Sequence, residues 1–174
     1  MAADAAKSAA LVFVAGLVQV SILSSMHLVG GTPELLLVTL VAVALLRGSI
    51  FGAVAGFAGG LLVDTATLET LGLTSLVLTV AGYWIGRYGE TTGRDRVHAP
   101  YLSVAVVTVL YAFGATIVHF MLGDPVSART VFVDALAPTV LLNLLLTGPV
   151  YALCRRLLRP AEWTDRAGEV SLLG

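Results

Sequence analysis

Apolar residues run along this chain in six stretches separated by short charged, Gly-rich or Pro-containing breaks. They are Ser8 to Leu23, Glu34 to Leu46, Gly48 to Val63, Leu71 to Tyr88, Tyr101 to Leu122, and Ala135 to Leu158. A helix of about 20 mainly apolar residues crosses the hydrocarbon core of a bilayer. The pattern therefore predicts an all-α polytopic membrane protein: one integral domain of six transmembrane helices over residues 1–160 and a short polar tail at 161–174. The second and third stretches are short. The residues from Gly48 to Val63 reach only about 24 Å as a helix, so this element must stand untilted, borrow flanking residues or sit where the bilayer thins. One re-entrant hairpin built from both stretches is the alternative. Against it stands the Arg47-Gly48 break, a natural turn carrying a charge that belongs at an interface.

Composition strengthens the membrane reading. Of 174 residues, 57% are hydrophobic and 12% are Asp, Glu, Lys or Arg, against roughly 25% charged residues in a soluble domain. No extramembrane piece has the length or apolar content for a folded domain, the longest being Gly89 to Pro100, Gly123 to Asp134 and the tail after Pro160. The formal net charge of -1 gives no basic footprint for nucleic acid. Lys7 followed by apolar residues to Leu23 resembles a signal peptide, but no clean small-x-small cleavage site lies near Ser24 to His27, and the stretch is read as the first membrane helix.

The placement of charge predicts orientation. With six spans and the amino terminus inside, Lys7, Arg47, Arg87, Arg94, Arg96, Arg155, Arg156, Arg159 and Arg166 all fall on the cytoplasmic side, nine of the ten basic residues. Only Arg129 falls outside, along with Glu34, Asp64, Glu69, Asp124 and Asp134. This is the expected bias of cytoplasmic loops toward Lys and Arg, and it puts both termini in the cytoplasm.

The clearest internal pattern is Gly48, Gly52, Gly56 and Gly60, spaced by four on one face of the third stretch, with Asp64 continuing that face. Glycines at this spacing let another backbone approach closely, so the face is read as a packing surface, within the chain or toward a partner. A carboxylate in or near a spanning helix is costly. Asp64 is read as a solvated interfacial group or as one hydrogen-bonding the turn that follows it, Thr65-Ala66-Thr67. Gly82 and Gly86 repeat the small-residue spacing beside Tyr83, Trp84, Arg87 and Tyr88. In the last stretch Asn143 sits near the middle between Pro138 and Pro149, where an amide needs an interhelical partner.

Catalytic chemistry is poorly supported. Cys154 is the lone cysteine, and His27, His98 and His119 do not pair at metal-ligand spacing. No His-Glu-x-x-His, Gly-x-Ser-x-Gly, phosphate-loop or dinucleotide string occurs. No catalytic residue, metal or cofactor is expected. An intramembrane enzyme would have to gather Asn143, Gln19 or His119 at one depth.

The order and spacing of several strings resemble the MreD family, membrane components of the bacterial cell-elongation system. They are Pro33-Glu34-Leu35-Leu36, Ala44-Leu45-Leu46-Arg47-Gly48, Gly56-Phe57-Ala58-Gly59-Gly60 through Asp64, Leu71-Gly72-Leu73, Gly82-Tyr83-Trp84-Ile85-Gly86-Arg87, and Pro138 to Asn143 through Pro149. Carried over residue by residue, the family positions are Pro33, Arg47, Gly56, Gly60, Asp64, Gly72, Gly82, Gly86, Arg87 and Asn143. Glu34 stands where Asp or Asn is expected, and the third helix is richer in glycine than expected. The resemblance implies a multi-pass protein of the bacterial cytoplasmic membrane, similar in fold to the substrate-binding components of energy-coupling-factor transporters. It further implies a non-enzymatic scaffold that binds an MreC-like bitopic protein and, indirectly, MreB filaments, RodA and a class B penicillin-binding protein, organising lateral peptidoglycan synthesis. Whether two copies pair stays open. The rival reading is a small-solute, vitamin-type binding component of a transporter, which requires a cavity lined by polar and aromatic groups.

Overall fold

A computed structural model describes residues 2–22, 31–67, 71–93, 98–121, 123 and 136–158. They form six helices: α1 Ala2–Ser21, α2 Leu35–Arg47, α3 Ser49–Thr67, α4 Leu73–Tyr88, α5 Ala99–Met121 and α6 Leu136–Leu157, with a single π-helical turn at Gly89–Gly93 continuing α4. There is no strand ladder among the described residues. Among the described residues three helices are long and apolar enough to cross a membrane: α3, α6 and, over Ala99–Ile117, α5. The tail at 161–174 and His27 lie outside the described residues.

The organising element is α2. Every residue from Leu36 to Arg47 is buried, and the helix touches all five others. Its sequence, Leu-Leu-Leu-Val-Thr-Leu-Val-Ala-Val-Ala-Leu-Leu-Arg, has no polar face, as suits a helix surrounded by protein. At 13 residues it is about 20 Å long, well short of a hydrocarbon core of about 30 Å. A short helix is tolerated here because its neighbours, rather than lipid, surround its ends. Gly48, with φ 95° and its N–H donating to the Ala44 carbonyl, separates α2 from α3. Starting at Ser49, α3 continues to Thr67, four residues beyond Val63. Its 19 residues then reach about 28 Å, which removes most of the length deficit anticipated for the third stretch.

Helices α3 and α4 make the closest pair in the molecule, antiparallel and in backbone contact. A methyl group built on Gly52, Gly56 or Gly60 would overlap the backbone of Gly82, Leu78 and Ser75 respectively. From the other side, one built on Gly82 or Gly86 would overlap the backbone of Gly52 and Gly48. The glycines of both helices thus form one seam along which main chain lies on main chain. The opposite side of α3 carries Ile50, Val54, Phe57 and Leu61, all exposed. Exposed apolar side chains of this kind also cover α4, α5 and α6, including Trp84, Phe113, Leu141 and Leu145. That distribution is inverted relative to a soluble protein and is suited to lipid.

In α6, Pro138 falls in the first turn, where its missing N–H has no intrahelical partner to lose. Pro149 lies inside the helix after Gly148. The lone thiol, Cys154, is buried against the core.

The seam makes an expected outcome specific. Gly56→Ala should destabilise the protein by at least about 1–3 kcal/mol, because backbone on α4 cannot yield. At Gly59 an added methyl meets only side-chain ends of Val12 and Leu36, at 2.9 and 3.0 Å, so Gly59→Ala should cost less. Thermal unfolding of the two variants in detergent checks the ranking.

Candidate functional site

Helix starts are the weak points of a membrane bundle, because their first N–H groups have no intrahelical acceptor and find no water in lipid. Among the described residues, three helix starts are capped by side chains from other elements. At α2, the Glu34 N–H donates to Asn143 Oδ1 of α6 at 2.8 Å, and the Leu35 N–H donates to Gln19 Oε1 of α1 at 2.7 Å. Two residues before Glu34, the Thr32 N–H points to Thr139 Oγ1 at 3.4 Å. Asn143 is fully buried, and its Nδ2 donates to Thr108 Oγ1 of α5 at 3.0 Å and, more loosely, to Glu34 Oε2 at 3.4 Å. One amide thereby ties α2, α5 and α6 together.

At α4, the carboxylate of Asp64, 1% exposed, accepts from the Gly72 and Ser75 N–H groups through Oδ2, at 2.9 and 3.2 Å. A negative group at a helix start also meets the positive end of the helix dipole. Its Oδ1 is buried without a hydrogen-bond partner, so the cap is half used. Gly72, at φ 92°, takes the left-handed conformation that brings its N–H to Asp64. Next to these bonds, the Ser75 hydroxyl donates to the Phe57 carbonyl of α3 at 3.1 Å.

At α3, the cap comes from the π-helical turn after α4. Glu90 Oε1 accepts from the Ser49 N–H at 2.7 Å and from the Ser49 hydroxyl at 2.8 Å, while Oε2 pairs with Arg87 at 3.2 Å. Partial burial pushes the Glu90 carboxyl upward, but the two bonds from Ser49 and the neighbouring Arg87 outweigh it and hold the group below its ordinary value of 4.5. So α3 ends in the carboxylate that caps α4, and the turn after α4 supplies the carboxylate that caps α3. At the same end of the bundle, Arg47 is buried, with its guanidinium carbon 4.9 Å from the centroid of the Phe51 ring.

The structure thus places the sequence-selected residues in three groups. Gly48, Gly52, Gly56, Gly60, Gly82 and Gly86 form the seam. Asp64 and Gly72 make the α4 cap, and Arg87 joins the α3 cap. Pro33 is buried beside Glu34 and Asn143, which meet at the start of α2. Sequence reading missed Glu90 altogether, and it gave no role to Thr108, Thr139 or Tyr111. Thr108 had a faint signal, as a hydroxyl inside the apolar run Val104 to Leu110. Glu90 had none, since its partner Ser49 lies 41 residues away. Gln19 was considered for catalysis and instead caps a helix. Among the described residues no group of three or more His, Cys, Asp or Glu side chains converges on one point.

These polar groups hold helix ends in place, and large apolar side chains cover the outward faces of α3 to α6, which defines a helical membrane protein. A family model described as rod shape-determining protein MreD matches residues 7–161. The chain belongs to the MreD family, membrane proteins that determine rod shape. No curated protein and no solved structure matches it.

Two outcomes follow for the caps. Asn143→Ala leaves the Glu34 N–H buried without an acceptor, which should cost about 1–3 kcal/mol and remove that amide's protection in hydrogen exchange. The Glu90 carboxyl is lowered on folding, so its stabilisation is complete above the ordinary value of 4.5 and is lost as pH falls through the lower folded value. The stability difference between wild type and Glu90→Gln should therefore be constant above about pH 5.5 and shrink below 4.5. Acid-titrated unfolding in detergent reads it.

Proposed function

We propose that this chain is a non-enzymatic scaffold of the bacterial cell-elongation complex, spanning the cytoplasmic membrane six times with both termini inside. It binds an MreC-like bitopic protein and through it acts on MreB filaments, RodA and a class B penicillin-binding protein to organise lateral peptidoglycan synthesis. The observation that carries this reading is the family match over residues 7–161. The distribution of polar groups supports it, since the described hydrogen-bonding side chains largely connect helix to helix.

A scaffold needs an outward surface, and the glycine seam is already covered by α4. In this reading the spanning helix of the partner lies along the groove between α1 and α3, a space of about 600 Å³ lined by Ala5, Ala9, Phe13, Ala55 and Ala58. Small residues there allow the close backbone approach by which helices associate in lipid. The groove is apolar, so the contact rests on shape.

Co-purification from membranes in mild detergent tests the proposal. An MreC-like protein should accompany the wild type, and Ala58→Trp, on the exposed side of α3, should lose it while keeping the thermal stability of the parent. If no such protein accompanies the wild type, the scaffold reading fails. If Ala58→Trp retains the partner, only the groove assignment fails.

A further inference from the structure

The groove between α1 and α3 is a wedge, closed at one end and open at the other. A methyl group built on Gly59 would meet Val12 at 2.9 Å, and one built on Gly16 would meet Leu62 at 2.9 Å, so the two helices touch at both levels. Moving from Val12 to Gly16 on α1 corresponds to moving from Gly59 to Leu62 on α3, which makes the helices parallel. Carried back toward the helix starts, this register sets Ala9 level with Ala55 and Ala5 level with Phe51. At those levels the walls stand apart around the space of about 600 Å³.

The point of closure has a definite depth. Val12 is the tenth residue after the start of α1 at Ala2, and Gly59 is the tenth after the start of α3 at Ser49. Ten residues of helix rise about 15 Å, half of a hydrocarbon core of about 30 Å. The wedge therefore occupies one leaflet, the one that holds both helix starts. Ser8 is the one polar side chain among the described residues that line it, and it is buried. Ala9 and Ala58 are exposed on the two walls, and small residues in such positions let a further helix backbone approach closely. A second copy of this chain does not fill the space face to face, because two concave surfaces related by a twofold axis leave a void between them.

We propose that the bitopic partner is gripped through the inner-leaflet half of its apolar spanning helix alone. The inference rests on the reading above, in which that helix lies in this groove and the starts of α1 and α3 face the cytoplasm. Over its inner half the helix sits between two walls and touches both. Beyond mid-depth α1 and α3 meet, the trough ends, and the helix is deflected outward by their joined ridge. Dispersion contact is lost steeply with separation, so the outer half adds little to binding. That half, with the chain that leaves it on the outer side, stays available to other spanning proteins.

Disulfide cross-linking in native membranes measures the depth of the contact. Ala9→Cys is expressed with an MreC-like partner that carries one cysteine at a time along its spanning helix. The wild-type chain, whose Cys154 is buried, is the background control. Cross-links should form with positions in the cytoplasmic half of the partner helix, recurring every three or four residues, and be lost across its outer half. In co-purification, Ala9→Trp should lower the recovered partner at least about tenfold. Thr65→Trp, two turns past Ala58 on the same face of α3 and exposed, should leave recovery unchanged. Cross-links spread evenly over both halves, or confined to the outer half, overturn the proposal, as does loss of the partner from Thr65→Trp at unchanged Tm. A partner that co-purifies with the wild type but forms no cross-link from Ala9→Cys overturns it too and leaves the wedge to lipid. If no MreC-like protein accompanies the wild type, the scaffold reading itself falls and this inference with it.

Discussion

A backbone N–H that opens a helix inside a bilayer has no water to turn to, and the architecture of this protein depends on how that requirement is met at α2. The helix is too short to place both ends in the headgroups, so its start lies within the bundle and needs protein acceptors. Asn143 and Gln19 supply them from α6 and α1. Once those bonds are made, the helices to which the two amides belong are fixed in register against α2. Thr108 extends the same constraint to α5 through Asn143. The central helix is therefore positioned by hydrogen bonds at one end and by uniform apolar packing along its length.

The α3 and α4 pair solves a different problem. Hydrophobicity does not favour two helices meeting in lipid over each remaining solvated by it, so attraction has to come from close contact and directed bonds. Glycines remove the side chains that would hold the backbones apart, and Asp64 and Glu90 fasten the pair at opposite ends. Because this face is fully engaged internally, the outward surface consists of large apolar side chains and the slimmer groove beside α1.

Much of this was legible in the chain. Six apolar stretches correspond to six helices, and the spacing of Gly52, Gly56 and Gly60 identified a face on which a backbone could lie. Periodicity could not say whose backbone it was, because a glycine seam within one chain and one between chains obey the same packing rule. The caps were legible only in part. Asn143 announced itself as an amide in an apolar helix, yet its donor and acceptors lie up to 109 residues away, and no local pattern encodes such a separation. Glu90 was invisible because it follows Gly89 in what reads as a polar loop, while its function depends on α4 continuing through a π-helical turn. The extent of α3 was underestimated because Asp64, Thr65 and Thr67 look like an ending. In fact the Thr65 and Thr67 hydroxyls donate back to carbonyls of the preceding turn, which lets polar residues continue a helix.

The long-range cap on α2 also has a consequence for biogenesis. Glu34 and the residue that satisfies its N–H emerge from the ribosome far apart in time, since Asn143 of α6 follows Glu34 by 109 residues. Until then α2 has a buried start with one amide unclaimed. The first five helices can gather in the membrane but cannot close. Closure of the α2 start is thereby coupled to synthesis of α6, and a product truncated before α6 would present the quality-control machinery with an open helix end rather than a smaller version of the same protein.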